Sequence, residues 1–458
     1  MCVAGCVSRR SAETFGRIRA DVAARSGQRI EWQRQQRDSQ TASSRTDALL
    51  AGGLTLAEAL EVAILNNPRL QATYEAVDVA EARVVQAILP PNPGVEALFK
   101  HVRHGGHIWE LTAVQEVVDL IMIPWRKKAA ESEVERVRAM VTAEVLDVLL
   151  NVKVAYRRAQ AALQHLSMLE QTLASDEAAY AMAHRLRDAG NISKLALRGR
   201  KAVLEQTRLV VTNARLRVAE TREALTLALG LDGERTAWSV AEELPAMPED
   251  RLDARDVSEA ALSNSLDLAR ARAILTRTAR EEGITNVTSL LPELHIGVES
   301  EREPDGTWIV GPLVEAPLPL FDWGQAERAI ADARVRRAAA EYRMVAVALS
   351  SAVRLTMRRL ELTRKQAEQY RDVNVPLQES LTQETHLHFN AMQLGVFQLL
   401  AAKKEELAMR RRYIDSLRDY WIARAEAEQL MSGRMVAQSA AAASEGMAVG
   451  SAGNDGGH

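Results

Sequence analysis

The chain has 458 residues, of which 4% are aromatic and 26% charged, and its formal net charge is −3. That balance leaves no basic footprint for nucleic acid, and so few aromatic residues favour long helices or coiled coils over thick globular cores. No apolar run approaches the roughly 20 residues of a membrane-spanning helix, and the P-loop, Rossmann, zinc-protease and kinase signatures are absent, so no cofactor or catalytic class is expected.

In chain order, the sequence begins MCVAGCVSRR, which holds both cysteines, Cys2 and Cys6. Residues 7–53 are polar, with six arginines between Arg9 and Arg29, and read as a tether or clasp. A helix is expected over 55–87, followed by a proline-rich turn, LPPNP, at 89–93. Two segments of strand character, 95–102 and 108–118, flank the turn HGGH at 104–107. A long helix then spans 125–187. Its apolar residues Val134, Val137, Val141, Val145, Val148, Val152, Ala155, Ala159, Ala162, Leu166, Leu169 and Leu173 step by threes and fours with one slip, the seam of a coiled coil. At about 1.5 Å per residue it is ~95 Å long. The stretch DAGN at 188–191 breaks it, and a return helix runs to Gly230.

Residues 231–255, with Gly233, Pro245 and Pro248, read as a connector, after which the pattern recurs. A helix is expected over 257–285, then strands at 294–300 and 308–318 around Asp305-Gly306, a hairpin dipeptide. Heptads follow at Val335, Ala338, Tyr342, Val345, Leu349 and Ala352. Pro376 is expected to kink this descending helix, and a return helix covers 394–430. The last segment, 433–458, Ala/Ser/Gly-rich from 437, reads as a disordered tail.

The recurrence is a duplication. AILNNPRL at 63–70 answers to ALSNSLDL at 261–268, VQEVVDL at 114–120 to VEAPLPL at 314–320, and DAGNISKLAL at 188–197 to NAMQLGVFQL at 390–399. The order is kept and the offset is 198, 200 and 202 residues. The chain therefore divides into a first repeat at 54–230 (strands within about 94–119) and a second at 256–432 (strands within about 293–319). The fold class is mostly α with a small β part.

Along the first strand Val95, Ala97 and Phe99 alternate with Glu96 and Lys100, and along the third Leu294, Ile296 and Val298 alternate with His295 and Glu299. Trp109 and Trp308 occupy equivalent places beside the turns. This pattern fits two hairpins capping a helical bundle, or strands of a transmembrane barrel with a tryptophan girdle. Four strands cannot close a barrel, since about eight is the usual minimum, so a barrel requires several chains.

The order and spacing of AILNNPRLQA (63–72), RDAGNISKL (187–195), LPLFDWGQA (318–326) and FNAMQLGVFQLLAAK (389–403) resemble the TolC-like outer membrane factor family. FGRIRADVAARSGQRIEW (15–32) and YIDSLRDYWIAR (413–424) resemble in particular its cation- and copper-resistance exporters. The resemblance implies a homotrimer in the bacterial outer membrane. Each protomer would lend four strands to one barrel, and the long helices would form a periplasmic tunnel. It implies an export duct rather than an enzyme, working with a periplasmic adaptor and an inner-membrane pump of the resistance-nodulation-division type. The turns at Asp188, Ala189, Gly190 and Asn191 and at Asn390, Met392, Gln393, Leu394 and Gly395 become the adaptor-contacting tips. Many members have glycine where strand passes into long helix; here the stretch is MIPWRK at 122–127. VAGC at 3–6 resembles a lipobox, with Cys6 carrying lipid, 1–6 the remnant of a signal and the true start upstream. A periplasmic coiled-coil adaptor or scaffold is the alternative, against which stand two helical hairpins and no lipoyl-like module. His101, His104 and His107 around the first turn, and His184, His386 and His388 near the tips, read as solvated residues rather than metal ligands.

Overall fold

The computed structural model describes residues 2–101, 107–232, 235, 238–241, 243–288, 294–303, 305–316 and 321–436. The first half runs α1 (Cys2–Ser26), α2 (Gln36–Leu50), β1 (Gly53–Leu54), α3 (Leu56–Asn66), α4 (Pro68–Ile88), β2 (Gly94–His101), β3 (His107–Glu116), α5 (Val117–Asp188) and α6 (Lys194–Leu229). The second runs β4 (Ser239–Val240), α7 (Ala254–Ser263), α8 (Leu266–Thr288), β5 (His295–Arg302), β6 (Trp308–Glu315), α9 (Gln325–Gln369), a π-turn (Tyr370–Asn374), α10 (Val375–Asn390) and α11 (Val396–Met431).

The helix expected over 55–87 is two helices. Thr55 opens the first with a capping box: its hydroxyl accepts from the Glu58 N–H at 3.3 Å and its own N–H donates to Glu58 Oε2 at 2.8 Å. Pro68 ends it, because proline offers no N–H and its ring excludes the preceding carbonyl, and Asn67 Oδ1 caps the next by accepting from the Arg69 N–H at 3.0 Å. The helix expected over 257–285 divides at the matching place, where Ser265 Oγ accepts from the Leu268 N–H at 3.1 Å.

Both repeats lock their closing helix onto this break. Gly230 ends α6 with φ +71°, and Gly433 follows α11 with φ +91°. Asn67 Nδ2 donates to the Ala228 carbonyl at 3.3 Å, and Asn264 Nδ2 to the Met431 carbonyl at 3.2 Å. A Cβ on Gly230 would lie 2.7 Å from Asn67 Cα, and one on Gly433 would overlap the Asn264 carbonyl. Only glycine allows both the left-handed backbone and the approach.

α5 is a single 72-residue helix, ~108 Å at about 1.5 Å per residue. It begins at Val117, eight residues before the expected start, and takes Val117 and Val118 from the predicted strand. The Val117 N–H donates to the Leu294 carbonyl at 3.0 Å, the last rung of the sheet. Pro124 sits inside this helix without ending it. Of the predicted seam, Val141, Val145 and Val152 are fully buried, while Ala155, Leu166 and Leu173 are half-buried. In the second repeat the corresponding rod is interrupted by the π-turn directly ahead of Pro376, as the missing N–H requires.

The N-terminal segment packs rather than trails. Phe15, Ile18, Val22 and Ile30 are buried in the largest core cluster with Tyr74 and Val77 of α4 and Val141 of α5. Arg25 Nη1 donates to the carbonyls of Asn264 at 2.7 Å and Ser432 at 2.8 Å, so α1 ties the two repeats together. The connector is equally engaged: β4 pairs parallel with β1, Leu244 and Met247 are buried, and Trp421 Nε1 donates to the Pro245 carbonyl at 2.8 Å. The first residues of the segment predicted as a tail, 433–436, are packed. Met435 is buried, and Arg434 donates to Asp147 Oδ2 at 2.7 Å and to Asp267. Residues 437–458 lie outside the described residues.

Candidate functional site: an exposed sheet and two helical tips

The two predicted hairpins are one sheet. β3 pairs antiparallel with β5, giving the order β2-β3-β5-β6 with open edges at β2 and β6. Every residue of β2 is exposed. The register sorts the side chains. Val95, Ala97, Phe99, Trp109, Leu111, Ala113, Ile296, Val298, Val310 and Val314 share one face, with Gln115, Ser300 and Arg302 among them; Glu96, Lys100, Glu110, Thr112, Glu299, Glu301 and Glu315 share the other with Leu98, Ile108, Val114, Ile309 and Leu313. The strands are 8–10 residues long, close to the roughly 9–11 that cross a bilayer. An apolar face this exposed has no cover among the described residues: Val95 is 68% exposed, Val314 67% and Val310 65%.

Trp109 and Trp308 fall on one row of that face. Phe99 faces Trp109, Trp109 faces Arg302, and Arg302 faces Trp308. Phe99 and Trp109 meet edge to face at 4.8 Å, and the Arg302 guanidinium lies 5.9 Å from the Trp308 ring. This row stands at the end of the sheet away from α5. One rung further out are His101 and His107, whose Nδ1 atoms are 3.3 Å apart. His104 lies outside the described residues.

The predicted tips lie at the far end of α5. Asp188, Ala189, Gly190, Asn191, Asn390, Met392, Gln393 and Gly395 are exposed, and Leu394 is half-buried. The two turns have the same hydrogen bonds. Ala189, Gly190 and Asn191 N–H donate to the carbonyls of Arg185, Arg187 and Leu186 at 3.1, 2.9 and 2.7 Å. Ala391, Met392 and Gln393 donate to those of Leu387, Phe389 and His388 at 3.0, 2.9 and 2.9 Å. The left-handed residue is Gly190 at φ +77° in one and Met392 at φ +59° in the other. Gly395 has φ −82° and is the N-cap of α11, an ordinary helix terminus. Met392 is 95% exposed and Leu195 80%, and Arg200 of α6 stacks on Phe397 of α11 at 4.1 Å, which holds the tips side by side.

The tip histidines do not converge. His184 Nδ1 pairs with Asp188 at 2.9 Å on its own helix, and His388 with Gln393 Oε1 at 2.5 Å. Among the described residues no three His, Cys, Asp or Glu side chains gather as metal ligands. The acidic bias of the polar sheet face escaped the sequence reading, although the alternation that revealed the apolar face also carried it. Cys6 lies in α1, and its side chain is outside the described residues.

Comparison with known proteins gives the same architecture. The chain is 24% identical over 392 residues to the cobalt-zinc-cadmium resistance protein CzcC of Cupriavidus metallidurans, covering 80% of this chain and 87% of that one. The CmeC outer membrane channel of Campylobacter jejuni superimposes with a TM-score of 0.71 at 16% identity, over 87% of this chain and 90% of its own. A membrane protein of Pseudomonas aeruginosa does so with 0.70 at 19% identity, over 82% and 92%. The sequence profile of the outer membrane efflux protein family matches residues 59–231. Residues 59–231 thus match the outer membrane efflux protein family, and the duplicated rod, with an exposed four-stranded sheet at one end and paired tips at the other, shares its fold with solved outer membrane channels.

Proposed function

We propose that the protein is the outer membrane duct of a tripartite exporter, passive and without catalysis, and that it conducts transition-metal cations. The observation that carries the duct is the four-stranded sheet. It has one apolar face, one acidic face and two open edges, at the end of a helix ~100 Å long by its rise of about 1.5 Å per residue. Three protomers joined edge to edge satisfy the open edges, bring twelve strands to a barrel that needs about eight, and turn the apolar faces to lipid. The metal cargo is supported by the likeness to a cobalt-zinc-cadmium resistance protein and by the polar face. There Glu96, Glu110, Glu299, Glu301 and Glu315 outnumber Lys100 and give the lumen a field that favours cations.

The exposed tips dock a periplasmic adaptor, through which an inner-membrane pump of the resistance-nodulation-division type drives transport. Lipid on Cys6 adds a second hold beside the barrel, since one acyl chain alone binds only marginally. In detergent extracts of outer membranes the protein should migrate as a heat-sensitive trimer and form cation-selective pores in planar bilayers. A monomer that fractionates with the soluble periplasm overturns the duct, and anion-selective pores overturn the cationic lumen. Mass spectrometry of the mature N-terminus tests the anchor: an unmodified Met1 removes it.

A further inference from the structure

We propose that His101 and His107 form a two-histidine binding site for a borderline divalent metal ion, zinc or copper, at the turn end of the β2–β3 hairpin. The two residues are register partners at the outermost described rung of the ladder. Their Nδ1 atoms are 3.3 Å apart and their ring centroids 4.9 Å. Two ligands bound to zinc at about 2.0–2.1 Å in a tetrahedron are about 3.3–3.4 Å from each other. The imidazoles are thus already placed along one edge of a zinc tetrahedron. Without metal the same contact is a hydrogen bond in which one Nδ1 donates and the other accepts. When the donor ring moves its proton from Nδ1 to Nε2 by tautomerisation, both Nδ1 lone pairs are free for a metal ion and each ring stays neutral.

The surroundings suit such a site. The Phe99 ring stacks on His107 at 4.9 Å and 27° between planes, and Trp109 braces Phe99. The His107 ring is therefore held by an aromatic neighbour rather than swinging freely, which lowers the entropy lost on binding. Both histidines are exposed, so an ion can reach them from solvent. The nearby ion pair, Lys100 with Glu110 at 3.0 Å, belongs to the opposite face and leaves the imidazoles free of its charge. Imidazole nitrogen selects zinc and copper over magnesium and calcium. The bound ion bridges β2 and β3 and clips the open end of the hairpin. The site stands outside the helical tunnel and does not depend on what the duct carries.

The test is a titration of the purified full-length protein in detergent with zinc chloride, followed calorimetrically and by competition with a chromophoric chelator. The expected result is one zinc per chain that is absent from both H101A and H107A, retained in H388A, and weakened at least tenfold between pH 7.5 and 5.5, because metal ligation requires neutral imidazole. Magnesium chloride should give no such event. If alanine disturbs assembly, H101N and H107N keep polar side chains on the rung and must show the same loss. Zinc binding that is unchanged in H101A and H107A, or lost in only one of them, overturns the site.

Discussion

The two repeats end their long helices in the same hydrogen-bonded turns, but they reach that geometry with different residues. At the tips, Gly190 adopts the left-handed conformation at no steric cost, whereas Met392 adopts it against its Cβ. After the closing helices, Leu231 follows Gly230 into the core, whereas Arg434 follows Gly433 into a carboxylate pair. The rod of the first repeat is one helix; that of the second carries a π-turn before Pro376. Duplication preserved the backbone. The side chains of the second copy diverged into strain and half-buried charge, both of which need surrounding structure to hold them.

Five single substitutions probe that contrast, from the largest effect to the smallest. G433A should cost about 3–5 kcal/mol in denaturant unfolding, because left-handed strain adds to a backbone overlap with Asn264. G230A meets Asn67 Cα at 2.7 Å, a looser contact, and should cost about 2–4 kcal/mol. Equal tolerance of alanine at both sites would mean the closing helices are not locked to the helix breaks.

R434L, which gives the second repeat the residue of the first, should lose about 1.5–3 kcal/mol by leaving the half-buried Asp147 and Asp267 without their cation. The triple variant R434L/D147N/D267N should recover most of that loss, as measured by the same unfolding curves. A third exchange lies at the tips. G190A should lose about 1–2 kcal/mol and M392G should gain about 1 kcal/mol. No atom lies within 4 Å of a Cβ on Gly190, so backbone strain alone is read there. A stabilising G190A would break the equivalence of the tips.

The smallest effect concerns pH. Burial pushes the His165 imidazole on α5 below its ordinary range. Asp415 of α11, 3.6 Å away, and a hydrogen bond to the Arg411 backbone oppose that shift, and the charges of Arg418 and Arg411 add to it. A depressed folded-state pKa contributes stability that is present above about 6.5 and lost as pH falls through the lower folded value. Thermal melting should therefore drop between pH 7.5 and 5.5, and H165Q should flatten the drop. A steeper drop in H165Q would assign the pH dependence to another group.

The sequence was informative where a pattern is local. Heptads located the α5 seam, alternation separated Val95, Ala97 and Phe99 from Glu96 and Lys100, and Asp305-Gly306 marked a turn in which Gly306 has φ +93°. It was less so where partners are far apart in the chain. Pro68 was in plain view, yet the helix break gained its role only with Gly230 docked against Asn67. The polar N-terminal segment hid its apolar side, Phe15, Ile18 and Val22, because those residues find their cover on α4 and α5.

By itself, then, the sequence determined the inventory: two copies, long amphipathic rods, four alternating strands and two tips. Each follows from interactions between residues a few positions apart. The tertiary structure alone decided that β3 meets β5 to make one sheet, that Met392 rather than Gly395 turns left-handed, that Arg434 finds Asp147 and Asp267, and that His101 faces His107. Cross-strand register, close backbone approach and half-buried charge pairing all depend on which distant segments the packed rods bring together.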